Sequence, residues 1–507
     1  MNPKAGRGPT AYRVEDLRKA EQQVMAGVPE GALMQLAAAG LAVSCARVLR
    51  ERTGHVSGRR AVLLVGPGDN GGDALFAGVR LVRRGVAVTA LLTSSTVHAG
   101  GAAALASAGG RCVQVGPDTA VEAWTAMEAA DLVVDGLLGL GGRPGLREPA
   151  AGLVDRIPDH AAVIAVDLPS GVDPDTGGVL SPHVFADLTV TFGAAKACLL
   201  LPPASAATGD LEVVDIGLGP HLPAEPLVAR LAEADVARLW PVPPPSADKY
   251  RRGVLGVVAG SAGYPGAAVL AVAGALRTGV GMVRYVGPQD ATAAVRSAWP
   301  EVVAGPGRVQ AWLLGSGVVP DAADQQPEAI HDALESDHPC LLDAGALGLF
   351  PGELRGHTDS SGVVPDRSDR LLLTPHAGEL ARLLSDLGSP AQREEVEAEP
   401  YRFAHEAARL TGATVLLKGA TTLVVRPDGH ARSQAEAPSW LATAGAGDVL
   451  AGIAGALLAS GLSPFDAGSV AAFVHGKAAA AASGGGPIVS LDVASQVPAT
   501  VAKLLRH

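Results

Sequence analysis

The chain has 507 residues, which is enough for two to three domains with cores of their own. Hydrophobic residues make up 48% of it and aromatic residues only 3%, so these cores must be built from Ala, Val and Leu. The formal net charge of −11 leaves no basic surface of the kind that a nucleic-acid backbone requires, so we expect no nucleic-acid partner.

Neither the N-terminal segment nor the longest uncharged run has the composition of a membrane-targeting or membrane-spanning segment. The N-terminal segment MNPKAGRGPTAYRVEDL lacks the apolar core of a signal peptide. The longest uncharged run, Val449–Phe465, is broken by glycines and serines and falls short of the roughly 18 apolar residues of a spanning helix, so it predicts a buried helix. The four cysteines lie far apart without a CxxC pair, which favours reduced thiols. We therefore expect a cytoplasmic protein with no membrane partner.

The first half of the chain, from about residue 12 to residue 218, alternates short apolar runs with helical stretches. The apolar runs contain few polar residues, which is typical of strands buried on both faces of a parallel sheet. They are Ala61–Val65, Ala87–Leu92, Leu132–Val134, Ala162–Val166 and Leu188–Phe192. The pattern predicts a Rossmann-like, doubly wound α/β domain.

Three loops of this half join an acid or an amide to glycines. The segment GPGDNGGD, residues 66–73, follows the first apolar run, and its glycines would let the backbone approach a phosphate at a helix N-terminus. Asp135 and Asp167 follow two further runs and precede glycine-containing loops. Taken alone, the first loop is equally consistent with a tight turn, and each acid with a helix cap. Because open α/β sheets bind ligands at the carboxyl ends of their strands, the three loops together predict a binding site.

Residues 219–252 contain the segment LWPVPPPSADKYRRG, whose proline run cannot continue a helix or a central strand. It predicts a linker over residues 221–245, between domains at residues 1–220 and 246–507. The second domain repeats the strand–helix alternation, which predicts a second α/β fold. Its apolar runs are Val254–Val258, Met282–Val286, Ala311–Leu314, Cys340–Leu342, Leu371–Leu373 and Val415–Leu417.

The strongest single motif of the second half is ATAGAGDVLAG, residues 442–452. Its glycines, just before a helix, would present backbone N–H groups to an anion. Asp448, next to that positive end, is placed to accept a proton from a hydroxyl that attacks a phosphoryl group. The alternative is an aspartate that caps an Ala-rich core helix, although a plain cap does not need the two glycines.

Four further segments of the second half carry weaker signals. Lys418 and the two hydroxyls after it in LKGATT follow a strand and suit nucleotide phosphates or ribose, although an exposed hairpin has a similar sequence. His376 in LTPHAGE is more often a structural residue in such a position, and Asp343 at a strand end is consistent with a turn. The segment GSAGYPGAA, residues 260–268, is another glycine-rich loop that opens a helix.

The motifs GPGDNGGD, VDGLLGLGGRPGLREP, AVDLPSGVDPDTG and ADLTVTFGAAKACLLLPP occur in order and resemble those of the NAD(P)H-hydrate epimerase family. The resemblance implies a K⁺ ion held by Asn70, Asp135 and Ser170, and interconversion of the R and S forms of the C6-hydrate of NADH or NADPH. Asp167 is assigned a catalytic role, and Lys196 is either an assistant in proton transfer or a surface or structural lysine. The implied substrate contacts are Asp69, Asn70, Gly71, Gly72, Asp73, Gly139, Leu140, Gly141, Gly142, Arg143, Pro144, Gly145 and Asp167.

The motifs KYRRG, SAGYPGAA, LTPHAGE, LLKGATT and TAGAGDVLAG resemble the ribokinase-like fold and, within it, the ADP-dependent NAD(P)H-hydrate dehydratase family. The resemblance implies that Asp448 is the catalytic residue and faces the C6 hydroxyl of the hydrate. Ala267, Gly317 and His376 would line the hydrate pocket. The residues implied for ADP are Lys418, Gly419, Ala420, Thr421, Thr422 and Gly447.

Several positions depart from the usual patterns of these families. Asp69, Ala74 and Gln35 stand where Asn, Gly and Glu are common, and the carboxylate of Asp69 could alter the affinity of the first loop for an anionic ligand. Gly345 stands where a second acid is common, and Ser439-Trp440 where a glycine-containing turn is common. These two departures bear on the details of a metal site or pocket.

Together the resemblances predict a bifunctional repair enzyme that epimerises the hydrates and dehydrates the S-hydrate to NAD(P)H with ADP, giving AMP and phosphate. NADH-hydrate and NADPH-hydrate are the expected substrates, ADP, Mg²⁺ and K⁺ the expected cofactors, and a homo-oligomer the expected assembly. One alternative is a ribokinase-like, ATP-dependent kinase of a small alcohol with a non-catalytic nucleotide-binding N-terminal domain. A stable phosphorylated product would indicate that kinase. The other alternative is a non-catalytic nucleotide sensor, or an N-terminal half that acts only as a protein-binding module. Tight binding of NADPH-hydrate without turnover would indicate it.

Overall fold

The computed structural model describes residues 8–319, 326–355 and 365–506. Over these residues the chain folds as two compact units. One unit is Thr10–Val228, and the other begins at Ala229 and also includes Pro9. Each unit is built on strands of a largely parallel sheet that lie in an apolar core. The predicted fold class, two α/β units, is confirmed.

The first unit contains all the strands and helices that the first half of the sequence predicts. Its strands are β1 (Thr10–Tyr12), β2 (Arg60–Val65), β3 (Ala87–Leu92), β4 (Arg111–Gln114), β5 (Leu132–Gly136), β6 (Ala162–Val166), β7 (Leu188–Phe192), β8 (Ala195–Lys196) and β9 (Asp210–Val214). Its helices are α1 (Val14–Met25), α2 (Ala32–Thr53), α3 (Asp69–Val82), α4 (Ala99–Ala108), α5 (Ala120–Glu128) and α6 (Ala150–Val154).

The central sheet of the first unit is parallel, with the strand order β4-β3-β2-β5-β6-β7-β9. The chain moves outward from β2 to β4 and then returns to start again at β5, so the strand order reverses between β2 and β5. The loops at the carboxyl ends of these two strands diverge, and open α/β sheets bind ligands in the resulting crevice. The GPGDNGGD loop follows β2 and Asp135 lies near the end of β5, so both lie at this β2–β5 crevice.

Helix α2 has 22 residues and is apolar enough, by length and composition, to cross a membrane. In the folded unit, half of its most apolar window is buried. Its residues Leu41, Cys45 and Leu49 belong to one core cluster with Leu63 and Val65 of β2. Packing of the helix against the sheet therefore accounts for its apolar composition.

The second unit continues the same alternation of strands and helices. Strand β10 (Val228–Ala229) lies at the boundary, and the later strands are β11 (Val254–Val258), β12 (Met282–Val286), β13 (Val303–Ala304), β14 (Ala311–Leu314), β15 (Cys340–Leu342), β16 (Leu371–Leu373), β17 (Thr414–Leu417), β18 (Thr422–Val425) and β19 (Ala431–Gln434). The helices are α7 (Glu233–Leu239), α8 (Pro265–Thr278), α9 (Gln289–Ala298), α10 (Gln326–Glu335), α11 (Gly345–Arg355), α12 (Ala377–Asp386), α13 (Arg393–Ala398), α14 (Pro400–Thr411), α15 (Ala446–Ala459), α16 (Pro464–Ser483) and α17 (Ser490–Leu504).

In the second unit the strand order is β13-β12-β11-β14-β15-β16-β17-β18-β19. The strands from β13 to β17 are parallel, and β17, β18 and β19 are antiparallel neighbours. Helices α8, α15, α16 and α17 share one core, which is made mostly of Ala, Val and Leu as the composition predicts. Residues 418–421 form the connection between β17 and β18, so the LKGATT segment lies at the end of an antiparallel hairpin.

The segment predicted as a linker, residues 221–245, differs from that prediction because much of it is ordered. It contains β10 and α7, and Val236 of α7 is fully buried. The carboxylate of Asp235 accepts hydrogen bonds from the backbone N–H groups of Gly8 at 2.8 Å and Ala232 at 3.1 Å. The proline run ends α7 but does not unfold it, because the preceding segment EADVARL has helical spacing of its apolar residues.

Candidate active sites

The β2–β5 crevice of the first unit is formed by two loops in close contact. A Cβ atom at Gly66 would overlap the carbonyl oxygen of Leu137, and a Cβ atom at Gly71 would overlap the carbonyl oxygen of Gly66. Glycine is therefore required at both positions, because any side chain would push the loop after β2 out of place. The same packing starts α3 at Asp69 and directs the first backbone N–H groups of that helix towards the carboxyl edge of the sheet.

The structure brings together the three residues proposed as K⁺ ligands. The hydroxyl of Ser170 donates to Oδ1 of Asp135 at 2.6 Å, and its backbone N–H donates to Oδ2 at 2.8 Å. The side-chain amide of Asn70 donates to the carbonyl oxygens of Val166 at 2.6 Å and Leu138 at 3.0 Å. Asn70 and Ser170 thus meet at the same residue, because the N–H of Leu138 donates to the Ser170 hydroxyl at 2.9 Å.

The carboxyl group of Asp135 is fully buried at the centre of this cluster. Burial raises its pKa to about 6, while the hydrogen bonds from Ser170 and Leu137 lower it. All of its described hydrogen-bond donors are neutral. A buried carboxylate with neutral partners is stabilised by a bound cation, and the oxygens of Asp135, Asn70 and Ser170 suit a hard one.

The segment 139–145, which is predicted to contact the substrate, lies between this cluster and the loop after β6. A Cβ atom at Gly139 would lie 2.6 Å from Oδ1 of Asn70. At the other end, the N–H of Gly145 donates to the carbonyl oxygen of Gly171 at 2.8 Å. Arg18 of α1 donates to the carbonyl oxygen of Leu140 at 3.3 Å. Gly141 and Arg143 are exposed between these contacts, and Gly142 and Pro144 are partly buried.

Asp167 and Lys196 form a buried ion pair in the first unit. Lys196 is 1% exposed and Asp167 is 5% exposed. Asp167 adopts a positive φ of 71°, which is uncommon for a residue other than glycine, and its N–H donates to the carbonyl oxygen of Val190 at 2.8 Å. The sequence is consistent with a catalytic, a surface or a structural role for Lys196. Because the side chain is buried, the structure excludes the surface role.

Two further acids belong to the same electrostatic group. Burial, followed by the negative charges of Asp167 and Asp69, raises the pKa of Asp73 well above its usual value. Burial also raises the pKa of Glu21 on α1, which no sequence motif indicated. In the segment 69–73, which is predicted to contact the substrate, residues 70–73 are buried and Asp69 is exposed.

The segment predicted to bind an anion in the second unit forms the start of α15. Gly445 caps the helix with a left-handed φ of 85°, and a Cβ atom there would overlap Cδ1 of Leu270. A Cβ atom at Gly447 would lie 3.5 Å from Nζ of Lys418, so the lysine from the β17–β18 hairpin meets the helix N-terminus. The glycines of the motif therefore permit both the turn and the approach of a cation.

Lys418 takes part in a network around Asp343. Its Nζ donates to Oδ1 of Asp343 at 2.9 Å and lies 3.5 Å from Oε2 of Glu379. Ser316 donates to Oδ2 of Asp343 at 2.8 Å, and Thr374 donates to Oδ1 at 3.0 Å. Sequence reasoning treated Asp343 only as a strand end, and it missed Ser316 and Glu379 as members of the site.

Asp448 is partly buried in the first turn of α15. Burial and then the charge of Asp343 raise its pKa to about 7, whereas Lys418 and a hydrogen bond from Ser316 lower it. Burial alone would lower the pKa of Lys418, but the charges of Asp343 and Glu379 outweigh that effect and raise it. The site thus holds a carboxyl group that can exchange a proton near neutral pH beside a permanently charged lysine.

The residues proposed for the hydrate pocket fall in two places near this network. A Cβ atom at Gly317 would lie 2.5 Å from Cβ of Ala267, so the loop after β14 and the start of α8 are in contact. His376 caps α12, where its Nδ1 accepts from the N–H groups of Gly378 at 3.1 Å and Glu379 at 3.2 Å. These contacts place His376 beside the lysine network, and Gly317 directly follows Ser316.

Two family models match this sequence, one in each unit. The model described as "NAD(P)H-hydrate dehydratase" matches residues 255–492, and the model described as "YjeF-related protein N-terminus" matches residues 30–198. The first of these matches agrees with the dehydratase family that the motifs of the second half resemble.

Curated relatives match the chain along most of its length. A bifunctional NAD(P)H-hydrate repair enzyme of Mycobacterium leprae is 43% identical over 504 residues, which are 98% of this chain and 98% of the relative. Proteins of the same name from Mycobacterium tuberculosis and Escherichia coli are 45% and 31% identical, and the matches cover 89% and 93% of this chain and 89% of each relative. An ADP/ATP-dependent NAD(P)H-hydrate dehydratase from Bacillus subtilis, crystallised with ATP and Mg²⁺, is 25% identical with a TM-score of 0.47, covering 54% of this chain and 97% of that one.

Proposed function

The chain belongs to the bifunctional NAD(P)H-hydrate repair enzymes, and from this premise we propose which residues of each unit carry its activity. The first unit interconverts the R and S hydrates at the β2–β5 crevice, with Asp167 among its catalytic residues. The second unit dehydrates the S-hydrate with ADP at the start of α15. Asp448 carries the second assignment, because its carboxyl group has a pKa of about 7 at a helix N-terminus beside Lys418.

In the dehydratase reaction, Asp448 accepts the proton of the C6 hydroxyl as the hydroxyl oxygen attacks the β-phosphate of ADP. AMP leaves with the electron pair of the broken P–O bond. The N–H groups of the turn at Gly445–Gly447 and the ammonium of Lys418 stabilise the negative charge on the phosphoryl oxygens. Lys418, Gly419, Ala420, Thr421, Thr422 and Gly447 bind the nucleotide.

The second step breaks the C6–O bond. The lone pair of the ring nitrogen forms an N1=C6 bond while inorganic phosphate leaves with the C–O electron pair, and loss of a proton from C5 restores the dihydronicotinamide. Ala267, Gly317 and His376 line the pocket that holds this ring. Phosphorylation converts a poor leaving group into a good one, which explains why a dehydration consumes a nucleotide.

Mg²⁺ fits this site as a companion of the nucleotide. Across residues 8–319, 326–355 and 365–506, no three His, Cys, Asp or Glu side chains converge as a metal site. Mg²⁺ is usually held by one or two carboxylates together with substrate phosphates, and Asp343 and Glu379 are the carboxylates beside Lys418. They would hold the ion, which supplies positive charge to the phosphates.

K⁺ fits the cluster of Asn70, Asp135 and Ser170 in the first unit. The donor set consists of oxygens, and the buried carboxyl group of Asp135 has only neutral hydrogen-bond donors among the described residues. Bound K⁺ would supply the positive charge that this carboxylate lacks. Since Ser170 and Asn70 both contact Leu138, these residues fix the loop that leads into the substrate-contact segment 139–145.

We also propose that the protein is cytoplasmic and forms a homo-oligomer. Its four cysteines are free thiols, which agrees with a reducing compartment. Light scattering on the purified full chain tests the assembly, since a particle of one chain mass, 50.9 kDa, would contradict it.

The proposed function is tested by incubating the purified chain with an R/S mixture of NADPH-hydrate, Mg²⁺, K⁺ and either ADP or ATP. The near-ultraviolet absorbance of the dihydronicotinamide ring reports the product. We expect complete recovery with ADP, which requires both activities. Recovery that stops at the S fraction would contradict the epimerase assignment. A stable phosphorylated product without recovery would instead indicate a small-alcohol kinase.

A further inference from the structure

Lys196 is buried beside the β2–β5 crevice, and acceptors from the protein surround its ammonium group. Its Nζ donates to the carboxylate of Asp167, to the hydroxyl of Thr191 at 3.0 Å, and to the carbonyl oxygens of Phe192 at 3.2 Å and Ala194 at 3.3 Å. An ammonium group has three N–H donors, and here four acceptors compete for them. Lys196 therefore has no donor left for a substrate, and its role is to position Asp167.

Asp167 is an acceptor in the same cluster. Its Oδ1 receives the ammonium of Lys196, the hydroxyl of Thr191 at 3.1 Å and the N–H of Phe192 at 3.2 Å. Three donors therefore occupy Oδ1 of Asp167. The ion pair fixes this side chain at the carboxyl edge of the sheet.

Asp73 differs from both in its contacts. It lies near the start of α3 with 6% of its surface exposed, and its Oδ1 is buried without a hydrogen-bond partner in the described structure. The charged groups that act on it are Asp69 on its own helix, Asp167, Glu21 and Lys196. Burial, then Asp167 and Asp69, raise the pKa of Asp73 well above its usual value, while Lys196 lowers it. Asp73 therefore holds its proton more tightly than a carboxyl group in water does, whereas the neighbouring Asp167 is paired with Lys196.

We infer that Asp73 is the proton donor of the epimerase reaction and that Lys196 is a positioning residue for Asp167. This inference rests on the proposed function of the first unit. The donors of Lys196 are occupied, and of the two acids near the ion pair, Glu21 is only partly buried, whereas Asp73 is buried with an unpartnered carboxyl oxygen. Asp73 is therefore the proton source that the contacts favour.

The step balances without a further reactant. The proton of Asp73 passes to the C6 hydroxyl, the C6–O bond breaks, and water leaves with its electron pair while the ring nitrogen lone pair forms N1=C6. Water then adds to the opposite face of C6 and the π electrons return to N1. The added water releases its surplus proton to solvent, and solvent reprotonates the Asp73 carboxylate. The carboxylate of Asp167 stabilises the cationic ring between the loss of water and the addition of water.

The test is Asp73→Asn in the full chain, with Asp159→Asn at an exposed position of the same unit as the control. Purified R-hydrate of NADPH is the probe, with K⁺ and without nucleotide, and chromatography follows the appearance of the S form after subtraction of the uncatalysed rate. We expect kcat to fall at least about 100-fold with KM changed less than about threefold, since the amide occupies the same space but gives no proton. Asp159→Asn should match the wild type.

A kcat for Asp73→Asn within about threefold of the wild type would overturn the inference. If that variant does not melt cooperatively, the pH profile of the wild type decides. A general acid must be protonated, so kcat should fall through one ionisation as pH rises, and a kcat that rises with pH would overturn the inference. A wild-type chain without any epimerase activity would overturn the proposed function of the first unit together with this inference.

Discussion

The hydroxyl group of Ser316 contributes to the proton affinity of Asp448. Ser316 lies in the loop that follows β14, is fully buried, and donates to Asp343 at 2.8 Å. Its hydrogen bonding also lowers the pKa of Asp448, against the burial and the charge of Asp343 that raise it to about 7. A general base works only when deprotonated, so dehydration should be lost as pH falls through about 7.

Ser316→Ala is expected to move this loss to higher pH. The substitution removes a donor that favours the charged carboxylate, so the pKa of Asp448 should rise further and a larger share of the base stays protonated at neutral pH. The measurement is kcat for dehydration of the S-hydrate as a function of pH. Ser495→Ala on the exposed side of α17 is the control and should keep the wild-type profile. A midpoint that is unchanged or lower in Ser316→Ala would contradict the role given to Ser316.

The sequence indicates Asp448 and Lys418 because each lies in a contiguous motif whose glycines or hydroxyls already suggest phosphate chemistry. It does not indicate the network around them. Ser316, Asp343 and Glu379 come from the ends of β14 and β15 and from α12, and only the parallel register of the sheet brings them together. The role of Asp73 is hidden for the same reason, since its raised pKa depends partly on Asp167, 94 residues away in the chain.

At the scale of elements, the two ends of α15 allow a matched comparison of glycines. Gly445 before the helix has a φ of 85° and Gly461 after it has a φ of 95°. A Cβ atom at Gly445 would overlap Leu270, whereas nothing lies within 4 Å of a Cβ atom at Gly461. Both positions impose the backbone cost of a left-handed conformation on alanine, but only the first adds a steric clash at the anion site.

We expect Gly461→Ala to destabilise the second unit by about 1 kcal/mol and to leave dehydration nearly unchanged. Gly445→Ala should destabilise it more and reduce dehydration strongly, because the displaced turn no longer presents its N–H groups to the phosphate. Denaturant unfolding and the dehydratase assay measure the two effects on the full chain. Equal losses of stability and activity in the two variants would contradict the role of the Gly445 turn.

The central parallel strands could be predicted because each is a short apolar run buried on both faces. Edge strands such as β4 and β9 were not predicted. The residues of these strands, RCVQ and DLEVV, are mostly exposed or partly exposed, and an edge strand needs no continuous apolar run. Helix α7 was included in the predicted linker because the proline run beyond it dominated that part of the sequence.

At the scale of the whole molecule, K⁺ binding should appear as a gain in stability. A ligand that binds only the folded state stabilises it by about 1.4 kcal/mol when its concentration is tenfold above the dissociation constant. We therefore expect KCl, compared with choline chloride at equal ionic strength, to raise the melting temperature of the full chain. Since the pKa of Asp135 is raised to about 6, the gain should fall as pH drops through that value and the carboxylate is protonated.

Asp135→Asn should abolish the difference between KCl and choline chloride, because the amide cannot supply the negative charge that attracts the cation. The hydrogen bonds from Ser170 to the side chain at position 135 would be kept in part, so the variant should still fold. A K⁺-dependent shift of wild-type size in Asp135→Asn would contradict the assignment of this cluster.

We propose that one chain carries two separable activities and that Asp448 serves only the second. The most direct measurement compares Asp448→Asn with the wild type in both assays on the full chain, with the exposed Asp337→Asn as a control in the same unit. With S-hydrate, ADP and Mg²⁺, the Asp448 variant should lose dehydration at least about 100-fold, whereas without nucleotide it should interconvert the R and S hydrates at the wild-type rate. Dehydration by the variant at a near-normal rate, or loss of both activities, would contradict the claim.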